Sequence, residues 1–363
     1  MYRTQLKALK RAGRFRERKI FDENLIDLAS NDYLGLSTNK KQFKKAIALV
    51  EQYRSFAPKA SMLVNGYHPI HKLFEERLAR LNGFEEGLVV GSGFLANISL
   101  IEALVRRGDM LFMDEEYHAS GVMAAGLLGD RVVLFGHNDA ADLEQKLQSY
   151  KAKRRIVAVE GVYSMSGEVC HRDIFEVVDR YDALMIVDEA HSSGVVGENL
   201  LGIFEYYGIT PDENHIKMGT LGKAYGSYGA YLLASSEIIS FLVNRAKPVI
   251  YSTAPSVFDT ALALVNINLV AKKAHKYRKQ IEQRLKIVKR LTGIDSPSLI
   301  IALPKESNKK VMQIQSLLIS EGFVVGAIRQ PTVKEPIIRM IPRVGVSKQS
   351  LDRALQILIG VSR

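Results

Sequence analysis

The chain has 363 residues, 47% of them apolar and 25% charged, which is the balance of a globular protein and not of a disordered or collagen-like one. Its one cysteine, Cys170, excludes an internal disulfide and a cysteine-built metal cage, and no apolar run approaches the roughly 18–20 residues that span a bilayer. The net charge of +11 is local: residues 1–20 carry +7, residues 271–290 carry +8, and the remainder is net −4. Both basic segments read as surface helices, either as solvated faces or as attractors of an anionic partner. No stacking aromatics or recognition motif accompany them, so no nucleic-acid partner is expected.

The length exceeds what one core accommodates, so more than one domain is expected. The basic start lacks the apolar core of a secretory signal and is poor in Ser, which predicts a cytoplasmic protein with no membrane partner. In chain order, residues 1–20 read as a helix with Leu6 and Leu9 as contacts. The pattern over 69–82 is an amphipathic helix stopped by Gly83. Short apolar runs then alternate with helical patterns. The runs are Leu88–Val90, Met110–Met113, Arg131–Phe135, Ile156–Val159, Leu184–Val187, Ile216–Met218 and Ala230–Leu233. Helices are expected over 94–106, 142–151 and 174–181 among them. That alternation predicts an α/β domain on a mostly parallel seven-stranded sheet covered on both faces. Past residue 255 come a long helix, strand-like runs at Ser298–Leu303, Phe323–Val325 and Ile337–Ile341, and a last helix capped by Ser347. These form a smaller C-terminal α+β domain. The expected division is an N-terminal helix and arm (1–40), a large α/β domain (41–252) and a small domain (253–363).

In open parallel sheets, ligands bind beyond the carboxyl ends of the strands, so the residues after each run carry the functional reading. Gly91-Ser92-Gly93-Phe94-Leu95-Ala96 opens a helix. It suits either a phosphate, drawn to free N–H groups, or a plain tight turn. It also matches a loose dinucleotide fingerprint, the basis of an alternative reading as a nicotinamide oxidoreductase. His118 follows the second run and is either structural or stacked on a flat ligand. Asp188 ends a buried strand, where a carboxylate needs a cation or strong donor; a protonated ring nitrogen is one such partner. His191, three residues on, is in reach of the same ring. Lys223, among glycines and next to Thr220 and Tyr225, is a candidate nucleophile.

Three other motifs fail on spacing. Asp188-Glu189-Ala190-His191 spells a helicase motif. The Gly219–Lys223 stretch, however, lacks the four-residue gap and the following Ser/Thr of a nucleotide-binding loop. His118, His137, His171 and His191 have no zinc spacing, and no metal is expected.

Taken in order from Ser30-Asn31-Asp32-Tyr33-Leu34-Gly35 to Arg339, these segments resemble the α-oxoamine synthases, a pyridoxal phosphate family with the aminotransferase fold (fold type I). The resemblance implies that Lys223 holds the cofactor as a Schiff base and, once freed, removes the α-proton of an amino acid. It implies that Asp188 pairs with the pyridine nitrogen, His191 bonds the phenolic oxygen and His118 stacks on the ring. The phosphate would be held by Gly93, Phe94 and Thr220, with Ser164 near the ring oxygen. Ser252 and Thr253 would reach the phosphate of the other subunit, which implies a homodimer with its active sites at the interface. Asn31 and Arg339 would take the amino acid's carboxylate. The implied reaction joins an amino acid to an acyl thioester, on coenzyme A or a carrier protein, and releases CO₂ and the thiol.

Gly326-Ala327-Ile328-Arg329-Gln330-Pro331-Thr332-Val333 is similar to the branch serving biotin synthesis, which implies L-alanine and a pimeloyl thioester as substrates. Sister branches use glycine with acetyl- or succinyl-CoA, or serine with a long acyl chain. Two departures stand out. Phe56-Ala57-Pro58-Lys59-Ala60-Ser61-Met62 replaces the family's Gly-Ser-Gly-Gly-Ser-Arg. The family's Arg-x-Arg is reduced to Arg339; anchoring on the final helix selects Arg339 as the clamp, whereas counting from Pro331-Thr332 selects Ile341.

Overall fold

The computed structural model describes residues 2–360. The chain forms two compact units. The larger comprises residues 34–164 and 168–278; the smaller comprises the chain up to Tyr33, Met165–Gly167, and the chain from Lys279 on.

The first strand, β1 (Ile26–Asp27), belongs to the smaller unit. The next seven form the sheet of the larger unit: β2 (Glu86–Val90), β3 (Met110–Asp114), β4 (Val132–Phe135), β5 (Arg155–Glu160), β6 (Leu184–Asp188), β7 (His215–Thr220) and β8 (Ala230–Ala234). Their order is β2-β8-β7-β6-β5-β3-β4, with β8 antiparallel to both its neighbours and the remaining pairs parallel. Each strand falls on a run expected from the sequence. These strands are apolar without strict alternation because both faces are covered. Helices Gly93–Leu104, Ala140–Ser149 and Arg172–Arg180 link them. The core on one face joins Met113, Ala158, Ile186 and Ile216 to Ala96, Leu100 and Ile101 of the first of these helices.

Helix Pro69–Asn82 has the expected bounds. Its start is fixed by a reciprocal cap: His68 Nδ1 accepts from Ile70 N (3.1 Å), and His71 Nδ1 accepts from His68 N (3.2 Å). Gly83 ends it in the left-handed conformation. Helices Lys40–Val50 and Ala119–Ala125 were not expected.

In the smaller unit, β9 (Ile301–Pro304), β11 (Gly326–Ile328) and β12 (Ile337–Met340) form an antiparallel sheet with β12 in the middle, and β10 (Phe323–Val324) pairs with β1. Helices Asn308–Ser320 and Lys348–Gly360 pack on Leu28, Ile301, Ile338 and Met340. The last helix starts as expected, with Ser347 Oγ accepting from Ser350 N (3.0 Å). The long helix expected past residue 255 is Val257–Thr292; it runs through both units and departs from helical geometry at Lys273. It carries the basic segment 271–290.

The helix expected over 1–20 is shorter, only Arg3–Arg11. Gly13 (φ +64°) turns the chain out, with Arg14 N donating to Leu9 O (2.9 Å). Leu6 and Leu9, expected as contacts, are 46% and 41% exposed. No helix among the described residues is long and apolar enough to cross a membrane.

One core carboxyl gives a test of this packing. Glu75, on helix Pro69–Asn82, accepts from Val89 N of β2 (2.8 Å) and from the Tyr67 hydroxyl (2.5 Å). Burial pushes its carboxyl up from 4.5 to about 7. The folded protein therefore binds more protons than the unfolded chain between these values, so stability falls as pH rises through them. The loss is about 3 kcal/mol. Glu75→Gln keeps the acceptor for Val89 without the charge. Denaturant midpoints of the variant are expected to fall less than the parent's between pH 4.5 and 7. Equal slopes would contradict the assignment.

Candidate active site

In neighbouring parallel strands, residues in register share a face of the sheet. On the face that packs against helix Gly93–Leu104, the apolar layer Ala158–Ile186–Ile216 is followed at the carboxyl ends by Glu160, Asp188 and, on β7, Met218 and Thr220. The core face thus becomes polar at the strand tops, and the expected site residues collect there.

Asp188 is buried, and each of its oxygens accepts one hydrogen bond: Oδ1 from Ala190 N (3.0 Å) and Oδ2 from Asn97 Nδ2 (3.0 Å). Asn97 is itself buried. Its amide also donates to Ser120 Oγ (2.9 Å), and its carbonyl accepts from the Tyr117 hydroxyl (2.7 Å). Ser120 Oγ meets His118 Nδ1 at 2.7 Å, so one network runs from Asp188 to His118. Burial lowers the His118 imidazole, with Asp188 opposing that shift and Lys223 adding to it. His118 is held neutral, its ring fixed as the N-cap of helix Ala119–Ala125. Asn97, Tyr117 and Ser120 were not singled out from the sequence.

Lys223 follows β7 in a glycine-rich turn, its Nζ 2.7 Å from Nε2 of buried His191. Beside them Gly93 begins its helix, and a Cβ there would sit 2.7 Å from Thr220 Cγ2, so only glycine lets the helix end approach β7 this closely. The first intrahelical donor is Ala96 N, bonded to Ser92 O (2.9 Å), which leaves the Gly93 and Phe94 N–H groups as first-turn donors. Thr220 Oγ1 is buried without a hydrogen-bond partner. Ser164, at the end of the turn after β5, donates its N–H to Glu160 Oε2 (2.9 Å).

Two further pairs were expected at the site. Ser252 and Thr253 follow the short helix Lys247–Ile250 on a partly exposed turn. In the smaller unit, Arg339 Nη1 donates to Asn31 Oδ1 (3.0 Å). Ile341, the other candidate for the clamp, is fully buried and bonds Leu28 O through its N–H. Arg343 is committed to Asp27 (2.5 Å) and Asp32 (2.6 Å). The departure at Phe56–Met62 leads into a tight turn, Met62–Gly66, where Gly66 N donates to Ser61 O (2.9 Å). Cys170 is a buried free thiol, pushed up by burial.

Residues 23–358 match the family model of class I and II aminotransferases. The chain belongs to this family. Among its curated relatives is the 8-amino-7-oxononanoate synthase of Helicobacter pylori (strain ATCC 700392 / 26695), 45% identical over 342 residues, which covers 94% of this chain and 92% of the relative. Two solved structures share the family's fold. An SPT with a PLP internal aldimine superposes with a TM-score of 0.89 at 22% identity, covering 99% of this chain and 96% of its own. The 8-amino-7-oxononanoate synthase of Francisella tularensis superposes with a TM-score of 0.78 at 23% identity, covering 93% and 97%. The mostly parallel seven-stranded sheet expected from the sequence is the sheet of this fold.

Proposed function

We propose that the protein condenses L-alanine with a pimeloyl thioester, on coenzyme A or a carrier protein, to 8-amino-7-oxononanoate, CO₂ and free thiol, with pyridoxal phosphate as cofactor. The observation that carries this is the 45% identity to the Helicobacter pylori synthase across 94% of the chain. The site supports it independently. The unpartnered Thr220 hydroxyl, beside the helix end that Gly93 leaves open, suits a phosphate. Asp188, buried with one neutral donor on each oxygen, suits a ring cation. Lys223 supplies the amine for the aldehyde, and no residue of the set is left without a task.

In this reading Gly93, Phe94 and Thr220 hold the phosphate, and Ser252 and Thr253 serve the phosphate of the partner in a cytoplasmic homodimer. His118 covers the ring, and His191 and Ser164 attend its oxygen. When bound, the cofactor supplies an electron sink that stabilises negative charge at the substrate's α-carbon. Lys223 Nζ takes the proton from that carbon, and His191, 2.7 Å away, orients the amine for it. Asn31 and Arg339 take the amino acid's carboxylate.

The test is an absorbance spectrum of the purified protein, repeated with L-alanine and then pimeloyl-CoA. A cofactor band perturbed by L-alanine, followed by thiol and CO₂ release on adding pimeloyl-CoA, is the expected result. A band that answers to glycine or serine but not alanine would move the assignment to a sister branch. The absence of any band after adding pyridoxal phosphate would sink the cofactor and reopen the nicotinamide reading. Arg339→Ala is expected to raise KM for alanine by about 10- to 100-fold, the worth of a charge-assisted hydrogen bond, with kcat changed much less. An unchanged KM would remove Arg339 from the carboxylate site.

A further inference from the structure

Glu160 ends β5 directly beside Asp188 of β6, in register and on the same face. Both carboxyls are buried, Glu160 at 2% and Asp188 at 3% exposure. The backbones of neighbouring strands lie only about 4.8 Å apart, and two desolvated carboxyls rooted side by side there disfavour ionising together. The hydrogen bonds decide which one keeps its proton. Asp188 receives a donor on each oxygen, from Ala190 N and Asn97 Nδ2. Glu160 receives one, from Ser164 N on Oε2, and its Oε1 is buried with no hydrogen-bond partner. The negative charge is therefore better held on Asp188, and the proton belongs on Glu160 Oε1. The other groups that act on Glu160 are Lys223, which favours ionisation, and Asp114, which opposes it; the Tyr117 and Tyr163 phenols feel its charge. Burial and then Asp188 are the strongest of these influences, and together they push the Glu160 carboxyl far up.

A neutral acid whose O–H finds no acceptor in the protein is a donor held for a ligand. We propose that Glu160 works as a neutral carboxylic acid whose Oε1–H donates a hydrogen bond to an anionic oxygen of the molecule bound over Asp188. That oxygen belongs either to the cofactor ring or to the substrate carboxylate. The proposal rests on the functional reading above for the identity of the ligand, but not for the protonation of Glu160.

Infrared spectra of the cofactor-loaded protein at neutral pH, compared with Glu160→Gln, test the protonation. A carbonyl stretch of a protonated carboxyl, present in the parent and missing in the variant, is expected; its absence from the parent overturns the proposal whatever the substrate proves to be. Two substitutions test the donor. Glu160→Gln keeps a neutral N–H donor and the acceptor for Ser164 N, and is expected to stay within a few-fold of the parent in binding and turnover. Glu160→Met has no donor and is expected to lose about 10- to 100-fold in binding of whichever ligand carries the anionic oxygen. Weaker cofactor binding by the apoprotein assigns the oxygen to the cofactor. Unchanged cofactor binding with a weaker spectral response to alanine assigns it to the substrate. If Gln proves as damaging as Met, Glu160 acts as a carboxylate and the proposal falls. Should Glu160→Met not fold, the infrared comparison and the Gln variant decide alone.

Discussion

Lys223→Ala is expected to lower turnover by at least about 10⁴-fold while leaving the fold intact. The amine has two tasks in the proposed reaction, holding the cofactor and moving the α-proton, and no neighbouring group can take over both. His191 is the nearest base, and the variant frees its Nε2 from the 2.7 Å contact with Lys223 Nζ, but an imidazole cannot hold the cofactor as a Schiff base. His118 is tied through Nδ1 to Ser120. The fold is expected to survive because Lys223 is only partly buried and lies in the turn after β7, outside the strand ladder. Phosphate and ring contacts do not depend on the amine, so the variant is expected to retain pyridoxal phosphate non-covalently. Single-turnover measurements at saturating substrate, with thermal melts as the control for folding, check both halves. Lys223→Arg is expected to fail equally, because a guanidinium does not deprotonate to act as nucleophile or base. Activity within about 100-fold of the parent in either variant would mean that another group carries the proton, against the role argued for Lys223.

The strands were legible because burial on both faces leaves unbroken apolar runs, and the rule that ligands sit beyond strand ends directed attention to the residues that follow them. Asp188, His191 and Lys223 were singled out in this way, and Thr220 through the family resemblance. Asn97 was missed because it lies within a pattern that reads only as an apolar helix. Its bonds to Asp188 and Ser120 come from residues 91 and 23 positions away. Glu160 was visible as a residue after a run, but its pairing with Asp188 depends on β5 and β6 being adjacent, which a single sequence does not state. The Asn31–Arg339 contact closes over 308 positions, and its geometry bears on a register that two ways of counting had left open. At the N-terminus the helical pattern runs past the true end because basic residues continue beyond Gly13, whose positive φ turns the chain out of the helix.

Lys217 shows what an apolar run conceals. It sits inside Ile216–Met218 on β7 at 1% exposure, where a lysine has no place without a partner. Its Nζ lies 3.4 Å from Oε1 of fully buried Glu189 and donates to Asn82 Oδ1 (2.9 Å) and to Leu201 O. Burial lowers the Lys217 ammonium, and Glu189 counters that shift. Glu189 Oε2 is saturated by Ser192 Oγ (2.5 Å) and Ile203 N (2.8 Å), so the lysine is what compensates Oε1. Lys217→Met removes the cation and leaves the carboxylate in the interior, and is expected to destabilise the apoprotein by about 3–5 kcal/mol. The double variant Lys217→Met with Glu189→Gln removes both charges and is expected to recover most of the loss, because a neutral amide still serves Ile203 N. Urea midpoints measured without cofactor, which would otherwise add stability by mass action, supply the cycle. If the single and double variants lose the same amount, Glu189 does not depend on Lys217. The lysine would then be held by Asn82 and Leu201 alone.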